Sequence, residues 1–200
     1  MIEDRLLNSG VSLIAGVDEA GRGACAGPLV IAAVIIRDIR AGELSEVRDS
    51  KELTPATREV LFEKIIESAF SHSIIAIDAE EIDRNGLHRS NIEGMRRAVE
   101  ALDVRPDYVL TDGYPIPGLA IPNLAVWKGD QVALSISAAS ILAKVYRDRV
   151  MRELEERYPG YGFAAHKGYV TASHQSAIAR LGVSNVHRKS YANIAELLNK

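Results

Sequence analysis

The chain has a single cysteine, Cys25, in 200 residues. That excludes an intramolecular disulfide and any cysteine-based zinc cluster, and it makes a reducing cytoplasm the expected compartment. Long hydrophobic runs are also missing. The longest, Pro28 to Ile36, has the length of a strand, whereas a membrane-spanning helix needs about 20 apolar residues. Met1-Ile2-Glu3-Asp4-Arg5 is charged with no apolar stretch behind it, so no secretory signal is expected. Internal repeats, low-complexity tracts and long linkers are lacking, and the length suits one medium domain with at most a small helical appendage. Neither sign of charge dominates, with 24 Lys and Arg against 27 Asp and Glu. The near-balance hides an asymmetry. Residues 144–200 hold ten basic against five acidic side chains, and residues 1–143 fourteen against twenty-two. An acidic body with a basic C-terminal portion suits a metal site beside an anionic polymer, although basic solvated helix faces would give the same count.

Apolar patterning predicts strands at 13–17, 29–37, 73–77, 108–111 and 120–126. The second is apolar almost throughout, as a strand buried on both faces requires. The fifth contains Pro122, which places it at an edge or makes it start late. A helix is expected from Thr54 as N-cap and Pro55 at the first position to about Phe70. Further helices are expected over 79–84, from Ser90 or Asn91 to Leu102, over 132–157 as one long element, and over 171–181 and 190–199. These elements predict an α/β fold with a mixed five-stranded sheet flanked by helices. The strands after residue 100 should pair in parallel, and residues 158–200 should form a C-terminal helical extension on a core of residues 1–157.

The most informative segment is Gly16-Val17-Asp18-Glu19-Ala20-Gly21-Arg22-Gly23. Two adjacent carboxylates end an apolar strand, and a turn with two glycines around an arginine follows. Packing has no use for carboxylates there, but a hard divalent cation, which prefers oxygen ligands, does. Gly21 and Gly23 let a polar ligand approach the main chain. Asp112 ends the fourth strand before a glycine, and Asp130 follows the fifth in Trp127-Lys128-Gly129-Asp130. Singly, Asp112 reads equally as a turn or cap residue and Asp130 as a helix N-cap. Together, four carboxylates at strand ends can converge on one sheet edge, which their repulsion would destabilise without cations.

With Asp49-Ser50-Lys51, Thr111-Asp112-Gly113, Gly129-Asp130, the run Ser137 to Asp148 and His166-Lys167-Gly168-Tyr169, the chain resembles ribonuclease HII in motif order and spacing from residue 13 to beyond residue 188. The resemblance implies a ribonuclease H-like fold with Asp18, Glu19, Asp112 and Asp130 as catalytic ligands of Mg²⁺ or Mn²⁺. It implies an endonuclease that cleaves RNA in RNA–DNA hybrids and cuts 5′ of ribonucleotides embedded in duplex DNA, leaving 3′-hydroxyl and 5′-phosphate ends. Gly21, Arg22 and Gly23 match the loop that reads the 2′-hydroxyl, and Tyr169 the tyrosine that packs on the adjoining sugar. Lys51 and Lys144 match phosphate contacts, and Arg147 a phosphate contact or a carboxylate partner.

Ribonuclease HIII shares the core but carries an additional N-terminal substrate-binding domain, and only about a dozen residues precede the first strand here. Ribonuclease HI lacks the Gly-Arg-Gly turn. A non-catalytic nucleic-acid-binding protein on the same fold would shed the carboxylates, since phosphate binding favours removing negative charge. Cys25 reads as packing, and His174 and His187 carry no assigned chemistry. No clamp-binding peptide is evident after Ser190, and a monomer is the default expectation.

Overall fold

The computed structural model describes residues 2–39, 44, 46–47 and 53–199. Its five-stranded sheet runs in the order β3-β2-β1-β4-β5. The strands are β1 Ile14–Ala20, β2 Leu29–Ile36, β3 Ala69–Ile77, β4 Tyr108–Asp112 and β5 Asn123–Val126. β1 is central, antiparallel to β2 and parallel to β4, which is parallel to β5. As Pro122 predicted, β5 is the edge and starts late; the Pro122 carbonyl accepts from Val109 N–H before the strand begins.

Nine helices flank the sheet among the described residues: α1 Ile2–Asn8, α2 Pro55–Ser68, α3 Ala79–Asn85, α4 Leu87–Glu100, α5 Gly129–Val132, α6 Leu134–Arg157, α7 Phe163–His166, α8 Ala172–Leu181 and α9 Ala192–Leu198. Residues alternate between the sheet's faces. Val30, Ala32 and Val34 of β2 meet α2 and α6 on one side, while Ala15, Val17, Leu29, Ile31 and Ala33 meet α4 on the other. All eight residues of β2 are buried, because both faces are covered. Gly16 lies where α6 crosses β1, and a methyl group there would fall on the Ser135 carbonyl.

Thr54 caps α2 as expected, its hydroxyl accepting from Thr57 N–H at 3.2 Å. The long helix forms as one element, α6, starting two residues later than expected. Ala133, in extended conformation, separates α5 from α6. Ala133 has no side chain to cap α6, and the buried Glu3 of α1 supplies the acceptor from 132 residues away. Its Oε1 accepts from Ser135 N–H at 3.0 Å and Ser135 Oγ–H at 3.1 Å. No element was expected before β1, yet residues 2–8 form α1, whose Leu6 and Leu7 pack with Ile14 and Ile136. α4 starts at Leu87, three residues before the expected cap, because Ser90 and Asn91 are buried within it.

The C-terminal segment packs directly on the β1–β2 turn. Cys25, Ala26 and Met151 share a core with Tyr161, Phe163, Ala177, Ile178 and Ile194. Ala26 pairs with His187 in an isolated bridge, and Asp83 of α3 accepts from the main chain of Lys189 and Ser190 at 2.8 Å each. Cys25 is a packing residue, as expected.

Gly16→Ala should destabilise the protein by about 3 kcal/mol, since its methyl meets rigid backbone. Gly94→Ala, whose methyl meets only the movable ends of Ile31 and Ile77 and which gains about 1 kcal/mol of helix propensity, should cost much less. Urea unfolding of the two variants checks the order.

Candidate active site

β1 and β4 place their carboxylates side by side. Val17 pairs with Thr111, so Asp18, still within β1 and paired with Ala32, stands level with Asp112, the last residue of β4. Asp18 shares the α6 face with Gly16 and is 5% exposed. Its Oδ1 accepts from Glu19 N–H at 2.7 Å, and the Ser140 hydroxyl of α6 also hydrogen-bonds to it. These bonds do not compensate the burial. Desolvation first, then the charges of Glu19 and Asp112, holds the Asp18 carboxyl well above the usual carboxylate range.

Asp112 Oδ1 accepts from Gly129 N–H at 2.7 Å, which draws the segment after β5 back across the site. Asp130, 4% exposed, follows directly. It is not the helix N-cap that its isolated reading allowed, because Lys128, in left-handed conformation at φ 52°, holds the cap position of α5. Chain reversal at Lys128 thus directs Asp130 inward while Trp127 stays 82% exposed.

The donors are all oxygen, which suits a hard cation. Among the described residues, no three His, Cys, Asp or Glu side chains are grouped so as to hold a metal ion by themselves. An open, carboxylate-rich edge fits Mg²⁺ or Mn²⁺ shared with substrate phosphate and water, since Mg²⁺ is held by one or two carboxylates rather than a full protein cage. Repulsion within the Asp18, Glu19 and Asp112 group favours such a cation.

The Gly21–Gly23 turn stands immediately beyond β1. Gly21 has φ 89°, and a side chain on it would strike the Arg147 guanidinium. Arg22 reaches to Tyr114, over whose ring its guanidinium lies at 4.5 Å and to whose hydroxyl it donates. The Arg22 carbonyl accepts from Tyr191 Oη–H at 2.7 Å and Arg188 Nη1–H at 3.1 Å. Tyr169, 42% exposed, closes the other side; its Cε1 lies 3.8 Å from where a Cβ on Gly23 would be. The fold therefore brings Gly21, Arg22, Gly23 and Tyr169 together.

Arg147 departs from its expected role. It is 1% exposed and donates to the Pro28 carbonyl at 2.9 Å and the Ala26 carbonyl at 3.2 Å. Burial, and secondarily Arg188, pushes its pKa down to about 10. Lys144 is half-buried in an ion pair with Asp148, at 2.7 and 2.9 Å. Lys51 lies outside the described residues. Ser140, Tyr114 and the Gly129 N–H were not foreseen as parts of the site. Ser140 left a signal as a polar residue within an alanine-rich helical run, and Gly129 as the residue before Asp130.

A model of the ribonuclease HII family matches residues 15–194. Ribonuclease HII of Corynebacterium jeikeium is 55% identical over 195 residues, covering 97% of this chain and 94% of that protein. The Salinispora arenicola ribonuclease HII is 51% identical over 194 residues, covering 97% and 72%. The crystal structure of ribonuclease H2 from Pyrococcus horikoshii superposes with a TM-score of 0.82 at 28% identity, covering 94% of this chain and 98% of that one.

A carboxyl whose pKa is raised by folding binds its proton more tightly in the folded state. Folding therefore loses stability as pH rises from the unfolded value, about 3.9, to the raised folded one. Asp18→Asn removes that loss. In EDTA at pH 7 it should unfold about 2–4 °C above the parent, and the gain should vanish as pH falls towards 4. Added Mg²⁺ should raise the parent's unfolding temperature more than the variant's. Thermal unfolding across pH, with and without Mg²⁺, measures both effects.

Proposed function

The chain belongs to the ribonuclease HII family and is a hydrolase of the ribonuclease H type, and from that premise we propose that it hydrolyses RNA in RNA–DNA hybrids and cuts 5′ of ribonucleotides embedded in duplex DNA. The products would carry 3′-hydroxyl and 5′-phosphate ends. The observation that carries this reading is the mutual placement of the buried Asp18, beside the charges of Glu19 and Asp112, and the Gly21–Gly23 turn against Tyr169. A carboxylate edge able to hold Mg²⁺ or Mn²⁺ stands directly beside a backbone surface able to read a sugar.

Asp18, Glu19, Asp112 and Asp130 would hold the cation. When bound, it supplies Lewis-acid polarisation of the phosphoryl oxygen and a more acidic attacking water. The protein's own groups perform the rest. Ser140 and the Glu19 N–H orient Asp18, and the Gly129 N–H orients Asp112. Gly21, Arg22 and Gly23 would offer main-chain groups to the 2′-hydroxyl, which alone distinguishes the two sugars at a site. Tyr169 would pack on the neighbouring sugar. Lys144, on exchanging Asp148 for phosphate, and Lys51 would position the duplex without reading its sequence. In this reading residues 1–157 form the catalytic core, and residues 158–200 an extension that contributes Tyr169.

Asp130→Asn should slow cleavage of a duplex with one ribonucleotide roughly a hundredfold or more while the fold persists. The parent should cut with Mg²⁺ or Mn²⁺ and not in EDTA. Gel analysis of the products identifies the cut and its ends, and full activity of Asp130→Asn would remove that residue from the site.

Tyr169→Ala should lose roughly tenfold or more in single-turnover cleavage at one embedded ribonucleotide while duplex affinity, set by phosphate contacts, changes little. Tyr169→Phe should keep more activity, because ring packing remains. Parallel cleavage and anisotropy titrations separate the two quantities.

A further inference from the structure

Three imidazoles are packed beneath Tyr169. His166 and His174 stack with centroids 4.2 Å apart, and His174 and His187 are both 0% exposed. The ring nitrogens face main-chain groups, another imidazole and, at His187 Nδ1, also the Ser184 hydroxyl at 2.8 Å, and the main-chain partners fix the tautomers. The Tyr169 carbonyl, 3.0 Å from His174 Nδ1, can only accept, so that nitrogen carries hydrogen. The Ser184 N–H, 3.0 Å from His187 Nδ1, can only donate, so that nitrogen presents its lone pair. Neutral His187 then bears its hydrogen on Nε2 and donates it to His174 Nε2, 3.1 Å away. Beside this chain, His166 Nδ1 accepts from Gly168 N–H at 3.1 Å while Nε2–H donates to the Tyr161 carbonyl at 2.8 Å.

We propose that His174 and His187 are positioning residues: a relay of neutral imidazoles, running from the Ser184 N–H to the Tyr169 carbonyl, that sets the Tyr169 ring against Gly23 for cleavage at a ribonucleotide. The proposal rests on the role given to Tyr169 above. The N–H groups of Gly168 and Tyr169 are both bonded to His166, and the two carbonyls are held from opposite sides. The Gly168 carbonyl accepts from Cys25 N–H at 2.9 Å, two residues past the glycine turn, and the Tyr169 carbonyl accepts from His174. Losing the second bond frees the carbonyl next to the ring while the first still holds Gly168, so the ring shifts relative to Gly23 without the segment unfolding.

A second proton would break the relay. On His174 it would set two N–H groups against each other across 3.1 Å, and on His187 it would oppose the Ser184 N–H. The surroundings disfavour that proton. The Cys25 thiol lies 3.7 Å from His174 Nδ1, Tyr161 and Phe163 cover His187, and the neighbouring Arg188 guanidinium is turned to the Gly27 and Arg22 carbonyls. Burial, then the neighbouring His174, pushes His187 down to about 4, and burial also lowers His174.

The test is single-turnover cleavage and binding of a duplex containing one ribonucleotide, at temperatures where every variant is folded. His187→Phe keeps a ring but no donor, and should cleave roughly tenfold or more slowly at little-changed affinity. His187→Gln, whose amide N–H can still donate to His174, should recover most of the rate. In a Tyr169→Ala background His187→Phe should add nothing, because both act through one ring. Wild-type rates for His187→Phe, or an additive double variant, would overturn the relay and leave the role of Tyr169 intact. Wild-type cleavage by Tyr169→Ala would instead remove that role, and the relay with it. Should His187→Phe not fold, imidazole ¹⁵N shifts of the parent at pH 6 decide: neutral His174 with Nδ1–H and His187 with Nε2–H are expected, and a charged ring or the opposite tautomer rejects the proposal.

Discussion

A carboxylate buried in the central strand is the constraint on which the rest of this structure depends. Asp18 sits in β1, the strand that joins the antiparallel and parallel halves of the sheet, under a helix packed closely enough to require glycine at position 16. Burying a charge there is costly, and Glu19 and Asp112 raise the cost further. The Glu19 N–H and the Ser140 hydroxyl offset part of it. What remains is an electrostatic demand for a cation at one fixed place, with Asp112 at the same level on the next strand and Asp130 brought in by the chain reversal at Lys128.

The second constraint is that a turn beside this site must stay rigid although it has little side-chain mass of its own. Two buried arginines solve it from outside. Arg147 and Arg188 direct their guanidinium groups at the carbonyls of Arg22, Ala26, Gly27 and Pro28, so the turn is braced through its backbone. Charge-assisted hydrogen bonds of this kind are stronger than neutral ones and satisfy carbonyls that the turn leaves unpaired. They also change the meaning of the charge count. Two of the ten basic residues after position 143 face the interior, and Lys144 is engaged by Asp148, so the basic surface is smaller than composition implies.

Most of the sheet was legible from pattern alone, because burial on one or both faces writes itself directly into the apolar periodicity. The β2 run, the late edge strand after Pro122 and the Thr54 cap of α2 are all local effects of this kind. The misses share a different cause. α1 is held by Leu6 and Leu7 against β1 and α6, and the cap of α6 comes from Glu3, the contacts with α6 being made across more than a hundred residues. The exact start of α6 after the extended Ala133 is invisible to a hydrophobic pattern, since alanine suits both a helix and the residue before one.

For the site, the sequence by itself determined which residue types were available: four carboxylates beside glycines and turns, whose repulsion implies a cation, and a glycine turn that bares the main chain. It could not decide their relations. That Asp18 rather than Glu19 is the buried member follows from which face α6 covers. That Asp130 is no cap follows from the left-handed Lys128, and that Arg147 serves carbonyls rather than phosphate follows from the turn lying over it. The imidazoles under Tyr169 make the same point, since His174 and His187, 13 residues apart in the chain, meet only when the C-terminal segment packs. Composition and spacing specify chemical capacity locally, whereas burial and hydrogen-bond partnership are properties of surfaces that meet only when distant segments pack.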